Sequence, residues 1–234
     1  MRALAIIPAR GGSKRIPGKN LAMVGGRSLV ERALDAAWGA DCAAVVSSDD
    51  AQILYHARPQ YAEERGVEYY MHRRLPEHAT DDAQLEPVID DVLASIDRVG
   101  AETHGIGIDH IVLLQPTSPF RTAAHVAEAL RILRETGCDS VVSVTRLHSL
   151  YPAFSGELMD GVYYPRKPGM ERVSSARLGH LVYENGAVYA FTRRHWNATR
   201  NRMGGDMRAL VMHWSEAVEI DTPEDLEAAR RLAR

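Results

Sequence analysis

Apolar positions along the chain fall into short unbroken runs separated by helix-length amphipathic stretches. The opening run, residues 1–8, reads as a strand that ends in a loop of Gly, Ser and basic residues, and residues 28–38 then carry helical periodicity. Further apolar runs at 42–46, 67–71, 110–114 and 140–144 alternate with helical stretches near 50–61, 84–98 and 123–135. Strands alternating with helices predict parallel βαβ units with right-handed crossovers and an α/β fold whose mostly parallel sheet carries helices on both faces. The runs around Val45 and Val112 are continuous rather than alternating, as strands buried on both faces should be. From 147 to 183 the rhythm breaks. Pro152, Pro165 and Pro168, with several glycines, replace periodic helix, and the segment reads as a β-rich flap inserted in a single domain spanning 1–234. Strand patterns resume at 187–192 and 209–214. A last helix begins after Thr222, where Thr222-Pro223-Glu224-Asp225 supplies a cap, a proline at the first helical position and an acid at the third.

The 234 residues are 45% apolar and 25% charged, which fits a globular domain and excludes collagen-like, disordered and disulfide-scaffold chains. A formal charge of -3 argues against a nucleic-acid or membrane-surface partner, since both ask for a basic field over the whole domain. There is no run of 18 apolar residues and no signal-like segment, and Cys42 and Cys138 sit in or beside apolar runs. A reduced cytoplasmic protein without a structural bridge is expected. Any basic site must be local, and of 28 basic residues only Lys14, Lys19 and Lys167 are lysines, two of them in one loop.

That loop, Pro8-Ala9-Arg10-Gly11-Gly12-Ser13-Lys14-Arg15-Ile16-Pro17-Gly18-Lys19-Asn20, follows the first strand directly. Ligands of open parallel sheets bind at the carboxyl ends of strands, and Gly11 and Gly12 would let backbone amides approach an oxyanion, so a phosphate is the expected guest. The competing reading is a solvated basic cluster. A P-loop is disfavoured, because Ser13 stands where its first glycine belongs and Asn20 where its Ser or Thr belongs; the dinucleotide fingerprint is missing too. A second signal is Glu219-Ile220-Asp221: read as strand, it projects both carboxylates on one face and turns Ile220 inward. Adjacent carboxylates repel unless a cation lies between them, and Mg²⁺ takes carboxylate oxygens together with phosphates. The alternative has Asp221 capping the following helix, a place for which Thr222 is better suited. The third signal is the stretch from Leu113 to Arg121, where two prolines stiffen a turn and leave Gln115, Thr117, Ser118 and Arg121 at a strand's carboxyl end. Gln115 suits the edge of a base or ribose, Ser118 the turn itself.

With these residues in view, the chain resembles the cytidylyltransferases that make CMP-activated sugar acids, most closely the N-acylneuraminate type. The similar stretches are Ile6-Ile-Pro-Ala-Arg-Gly-Gly-Ser-Lys14 with Lys19-Asn20, Leu113 through Arg121, Ser140-Val-Val-Ser-Val144, Glu184-Asn-Gly-Ala-Val-Tyr189 and Glu219 through Leu226, in family order over nearly the whole chain. The resemblance implies a Rossmann-like nucleotidyltransferase fold, CTP and Mg²⁺, pyrophosphate as leaving group, and a homodimer whose flap reaches the neighbour's site. By position, Arg10, Lys14 and Lys19 would hold the triphosphate and stabilise charge during transfer. Ala9, Gly11, Gly12, Ser13, Asn20, Arg74 and Gln115 would contact CTP, and Glu219 with Asp221 would be the metal pair. The family commonly has Asp-x-Asp there, so Glu219 is a departure.

A second departure concerns the acceptor. Relatives acting on sialic acids carry an arginine just before Glu-Asn-Gly, where this chain has Tyr183. An acceptor other than an ordinary sialic acid is therefore expected, a sugar acid or a small phosphonate, bound by Gln115, Arg166, Lys167, Arg172, Arg177, His180, Tyr183 and Asn185. Asp81 or His180 would assist if a hydroxyl attacks. The alternatives are a CMP-sialic acid-type synthetase proper, a nucleotidyltransferase using another triphosphate, and a non-catalytic nucleotide-binding module.

Overall fold

The computed structural model describes residues 2–57, 66–80, 82–103, 107–146, 156–165 and 181–233. In chain order the strands are β1 (Arg2–Pro8), β2 (Met23–Val24), β3 (Arg27–Ser28), β4 (Ala43–Ser48), β5 (Tyr69–Arg73), β6 (Ile108–Leu113), β7 (Ser140–Arg146), β8 (Gly156–Met159), β9 (Val162–Pro165), β10 (Val182–Thr192) and β11 (Met207–Met212). The helices are α1 (Leu29–Trp38), α2 (Ala51–His56), α3 (Leu85–Thr103), α4 (Ala123–Thr136), α5 (Arg193–Thr199) and α6 (Pro223–Leu232). Seven strands form one sheet in the order β11-β7-β10-β6-β1-β4-β5.

The continuous apolar runs explain the layers. Along β1, Leu4 and Ile6 turn to one face, packing with Val88, Ile89, Val92, Leu93 and Ile96 of α3 and Trp196 of α5. Ala3, Ala5 and Ile7 turn to the other, against α1 and α4 through Val30, Ala33, Leu34, Val126, Ala129 and Leu130. Period-two alternation on a strand apolar at every position thus demands helices on both sides. A third, smaller cluster gathers Ile16, Val24, Leu29, Ile220, Leu226 and Ala229 beneath the N-terminal loop. The helix starts follow local chemistry. Ser28 and Glu31 form a reciprocal capping box on α1, and Thr222 and Asp225 do the same on α6. No helix among the described residues is long and apolar enough to cross a membrane. Cys42 and Cys138 are free and buried.

One strand departs from the parallel pattern. β10 runs antiparallel to both neighbours, β6 and β7, and it begins at Val182, before the expected 187. A reversed strand needs no crossover helix, which is why a proline-rich stretch can precede it. Its early residues therefore lie at the carboxyl ends of β6 and β7. Pairing jumps there from Glu184 opposite Val144 to Tyr189 opposite Val142, an irregular bulge that sets four residues of β10 against one of β7. Asn185 fills it: its side-chain oxygen accepts from the Ser143 hydroxyl (2.6 Å) and the Ala187 amide (3.1 Å), and its nitrogen donates to the Thr145 hydroxyl (2.9 Å). The hairpin β2–β3, turning through Gly25 and Gly26 at φ 58 and 77, and helix α5 are further elements beyond the sequence expectation.

Replacing Asn185 by alanine strands the Ser143 hydroxyl and the Ala187 amide inside the sheet. Urea unfolding should show a loss of about 1–3 kcal/mol; an unchanged midpoint would mean that water replaces the amide.

Candidate functional site

The basic loop leaves β1 alongside β4. The Ala9 amide donates to the Ser47 carbonyl (2.9 Å) and the Gly11 amide to Asp49 Oδ1 (2.9 Å). A Cβ on Gly11 would lie 2.7 Å from Asp50 Cβ, so glycine is required where the loop passes over that residue. The Gly11 amide, expected to face an anion, is thus engaged by Asp49, a bond that anchors the loop. Nothing crowds Gly12. Buried Asn20 closes the loop by donating from Nδ2 to the Arg10 carbonyl (2.7 Å).

The acidic segment arrives from the other end of the chain. Glu219 to Asp221 is not a strand; it follows a short 3-10 turn at Trp214–Glu216 and makes one backbone–backbone bond, from the Ile220 amide to the Thr117 carbonyl (2.8 Å). With a single backbone pairing and no ladder, no strand forms. Even so, Ile220 is fully buried while both acids stay exposed, as the alternation required. Asp221 does not cap α6: Thr222 does, and the Asp225 carboxylate accepts the amides of Asp221 (3.0 Å) and Thr222 (2.8 Å). Lys19 Nζ donates to the Ile220 carbonyl (3.0 Å) and to Asp221 Oδ1 (3.2 Å), joining residues 202 apart. The crowded walls around Glu219 hold its carboxyl above the usual range, the neighbouring Asp221 adds to this, and Lys19 opposes it.

Between the two segments lies a cleft of about 220 Å³ at the carboxyl edge of the sheet, bordered by Arg10, Ser13, Lys19, Asn20, Arg74, Gln115, Thr117, Glu219 and Asp221. A second cavity of about 450 Å³ is lined by Arg10, Ser13, Lys14, Arg15, Lys19, Asp82 and Asp221, so Lys14 and Asp221 share one crevice. Arg74, at the end of β5, is buried; burial pushes its guanidinium down to about 10, Asp49 opposing and Arg10 adding, and it stays a cation at neutral pH. Arg121 is buried as well and donates from Nη1 to the carbonyls of Gln115 (2.9 Å) and Ala187 (2.9 Å), clamping the Gln115 turn to the β10 bulge. Gly186, at φ 71, sits beside that turn, where a Cβ would come within 3.4 Å of Glu219 Oε1.

Other expected residues lie elsewhere. Ala9 is wholly buried, Asn185 has both amide atoms engaged within the sheet, and Tyr183 is exposed on β10 without lining the cleft. Arg166, Lys167, Arg172, Arg177, His180 and Asp81 lie outside the described residues. Sequence reading missed His78, Thr80 and Gln84, which line the cleft, and Asp82 of the second cavity. Their only signal was position, directly after a strand's carboxyl end.

Among the described residues no group of three or more His, Cys, Asp or Glu gathers to hold a metal. Glu219 and Asp221 nevertheless offer two hard oxygen donors whose mutual repulsion favours a cation between them. That set fits a divalent ion taking its remaining ligands from phosphates and water. Substituting Lys19→Met removes the cation that opposes the upward shift of Glu219. Carboxyl ¹³C titration should then place Glu219 higher still; an unmoved or lower value would show that Lys19 does not act on it.

A family model described as Cytidylyltransferase matches residues 4–233. The CMP-N,N'-diacetyllegionaminic acid synthase of Legionella pneumophila is 31% identical over 236 residues, covering 99% of this chain and 96% of that protein. An N-acylneuraminate cytidylyltransferase of Streptococcus agalactiae is 28% identical over 229 residues; these cover 96% of this chain and 52% of that protein, so the chain spans about half its length. Among solved structures, a CMP:2-keto-3-deoxy-manno-octonic acid synthetase complexed with CTP superposes with a TM-score of 0.59 at 19% identity, over 99% of this chain and 98% of that one, a likeness of fold. On the family match along nearly its full length, the chain belongs to the cytidylyltransferase family.

Proposed function

We propose that the chain transfers CMP from CTP to a sugar acid and releases pyrophosphate. The observation that carries this reading is the convergence of Arg10, Lys19, Gln115, Glu219 and Asp221 on one cleft. An acceptor oxygen attacks the α-phosphorus in line, forming the new P–O bond as the bond from that phosphorus to the bridging oxygen of pyrophosphate breaks. Such chemistry asks the protein mainly for positioning and charge neutralisation. Arg10 and Lys19 border both cavities and Lys14 the second, so the three lie where charge on the α-phosphate and the departing pyrophosphate can be met. Gln115 and Arg74 face the nucleoside end. When bound, a divalent ion such as Mg²⁺, held by Glu219 and Asp221, supplies further charge neutralisation and alignment of phosphate oxygens.

The names of the two relatives favour a sugar acid over a phosphonate as acceptor. Tyr183 in place of an arginine supports one other than an ordinary sialic acid, and the basic residues Arg166, Lys167, Arg172, Arg177 and His180 suit its carboxylate. Leu158, Met159, Val162, Tyr163 and Tyr164 of the β8–β9 hairpin are exposed, a surface that suits a second copy of the chain in a homodimer.

Incubation with each of four nucleoside triphosphates, a divalent ion and a panel of sugar acids and phosphonates should give a CMP conjugate by mass and pyrophosphate from CTP. Equal use of all four triphosphates would defeat the assignment. Substituting Arg10→Ala should cost about 10²- to 10³-fold in kcat. The Asp221→Ala enzyme should lose metal-dependent turnover with its melting temperature nearly unchanged, whereas full retention of turnover would remove that carboxylate from the site.

A further inference from the structure

Arg74 holds its place through hydrogen bonds that run away from the cleft into the sheet. Its backbone amide donates to the Ser48 carbonyl (2.9 Å), and its guanidinium donates to the Ser47 carbonyl (2.9 Å) and, through Nε, to the Ser47 hydroxyl oxygen (3.3 Å). A guanidinium only donates, so Ser47 Oγ accepts in this contact. The hydroxyl proton is left for His72 Nδ1, 3.0 Å away. The other ring nitrogen, Nε2, lies 3.2 Å from the Asp91 carboxylate on α3. One tautomer satisfies both contacts: a neutral imidazole with its lone pair on Nδ1 and its proton on Nε2. Ser47 is wholly buried and His72 only 8% exposed, so water does not readily substitute for either partner. His72 itself does not line the cleft.

We propose that His72 is a positioning residue: as the neutral tautomer it orders the Ser47 hydroxyl and fixes the Arg74 guanidinium, and protonation at Nδ1 loosens that guanidinium and weakens nucleotide binding. The second half rests on Arg74 meeting the nucleotide, as in the function proposed above. The charged and titratable groups facing the ring are Asp91 from α3, Arg74 from beyond its own strand and His78 from the turn that follows. Burial holds its pKa below the ordinary imidazole value; Asp91 opposes this, and Arg74 and His78 add to it. At neutral pH the ring is therefore uncharged. A proton on Nδ1 would point two donors at Ser47 Oγ, turn the hydroxyl proton away from the ring, and set an imidazolium near a guanidinium.

Two readouts separate this arrangement from the reaction. In the ligand-free protein, ¹⁵N NMR of His72 should report the Nε2–H tautomer, and the Nδ1–H tautomer would overturn the proposal. With CTP, KM for the unaltered enzyme should rise as pH falls through the His72 pKa, below the ordinary imidazole range. His72→Asn keeps an acceptor near the place of Nδ1 and cannot titrate, so its KM should lose that component of the acid rise while remaining close to the parent value at neutral pH. His72→Phe keeps ring volume but removes the acceptor; its KM should rise about tenfold across the range, with kcat little changed. Identical acid limbs in the parent and Asn enzymes, or an unchanged KM in a folded Phe variant, would overturn the proposal, and if the Phe variant does not fold, the Asn variant decides. A parent chain that does not use CTP would instead defeat the proposed function, leaving the tautomer to decide the relay.

Discussion

Ile16 and Ile220 meet in one buried cluster, and the site depends on that contact. One belongs to the basic loop after β1, the other stands between the two acids near the end of the chain. Charge attraction alone would not hold these segments together. Lys19 is largely buried but Asp221 is half-exposed, and an ion pair open to water on one side contributes on the order of 1 kcal/mol. Burying an isoleucine contributes roughly 1.5–3 kcal/mol. The apolar contact therefore decides where the segments lie, and the ion pair sets how their polar atoms face each other. Alternation does the rest, because with Ile220 turned inward, Glu219 and Asp221 have only the cleft to face.

The rim of the sheet supplies the remaining parts. Each parallel strand that ends at this edge delivers something: β1 the basic loop, β4 the pair Ser47 and Asp49, β5 Arg74, and β6 the Gln115 turn. β10 enters from the same edge in the opposite sense, so its beginning, not its end, lies there. The bulge around Asn185 and the buried Arg121 clamp turn that beginning into a wall of the site. Asn185 and Arg121 thus act through backbone placement, each with its hydrogen-bonding directed at protein groups.

What could be read from the sequence follows what is local. Continuous apolar runs gave the strands of a covered sheet, and Thr222 to Asp225 gave the start of α6 with its cap, because both depend on neighbouring residues. The grouping of Arg10, Lys14 and Lys19 with Glu219 and Asp221 was legible through chemistry, since each set carries charge that needs an opposite partner. The direction of β10 was not, because period two is the same in either sense. Nor was the engagement of the Gly11 amide by Asp49, which depends on where β4 ends relative to β1. Glu219 to Asp221 alternates like a strand without being one, since alternation reports burial on one side and not pairing on an edge.

The separation of 202 residues between Lys19 and Asp221 also bears on how the molecule is made. During synthesis the cationic side of the cleft emerges about 200 residues ahead of its acidic counterpart. Until Ile220 arrives, Ile16 lacks one of its apolar neighbours, and the loop that carries it has little to fix its course. Contacts this remote in sequence slow folding, because a long loop must close before the contact is gained. Closure of the cleft thus waits on the acidic segment, and a chain that folds without it holds the sheet with only the cationic side of the site.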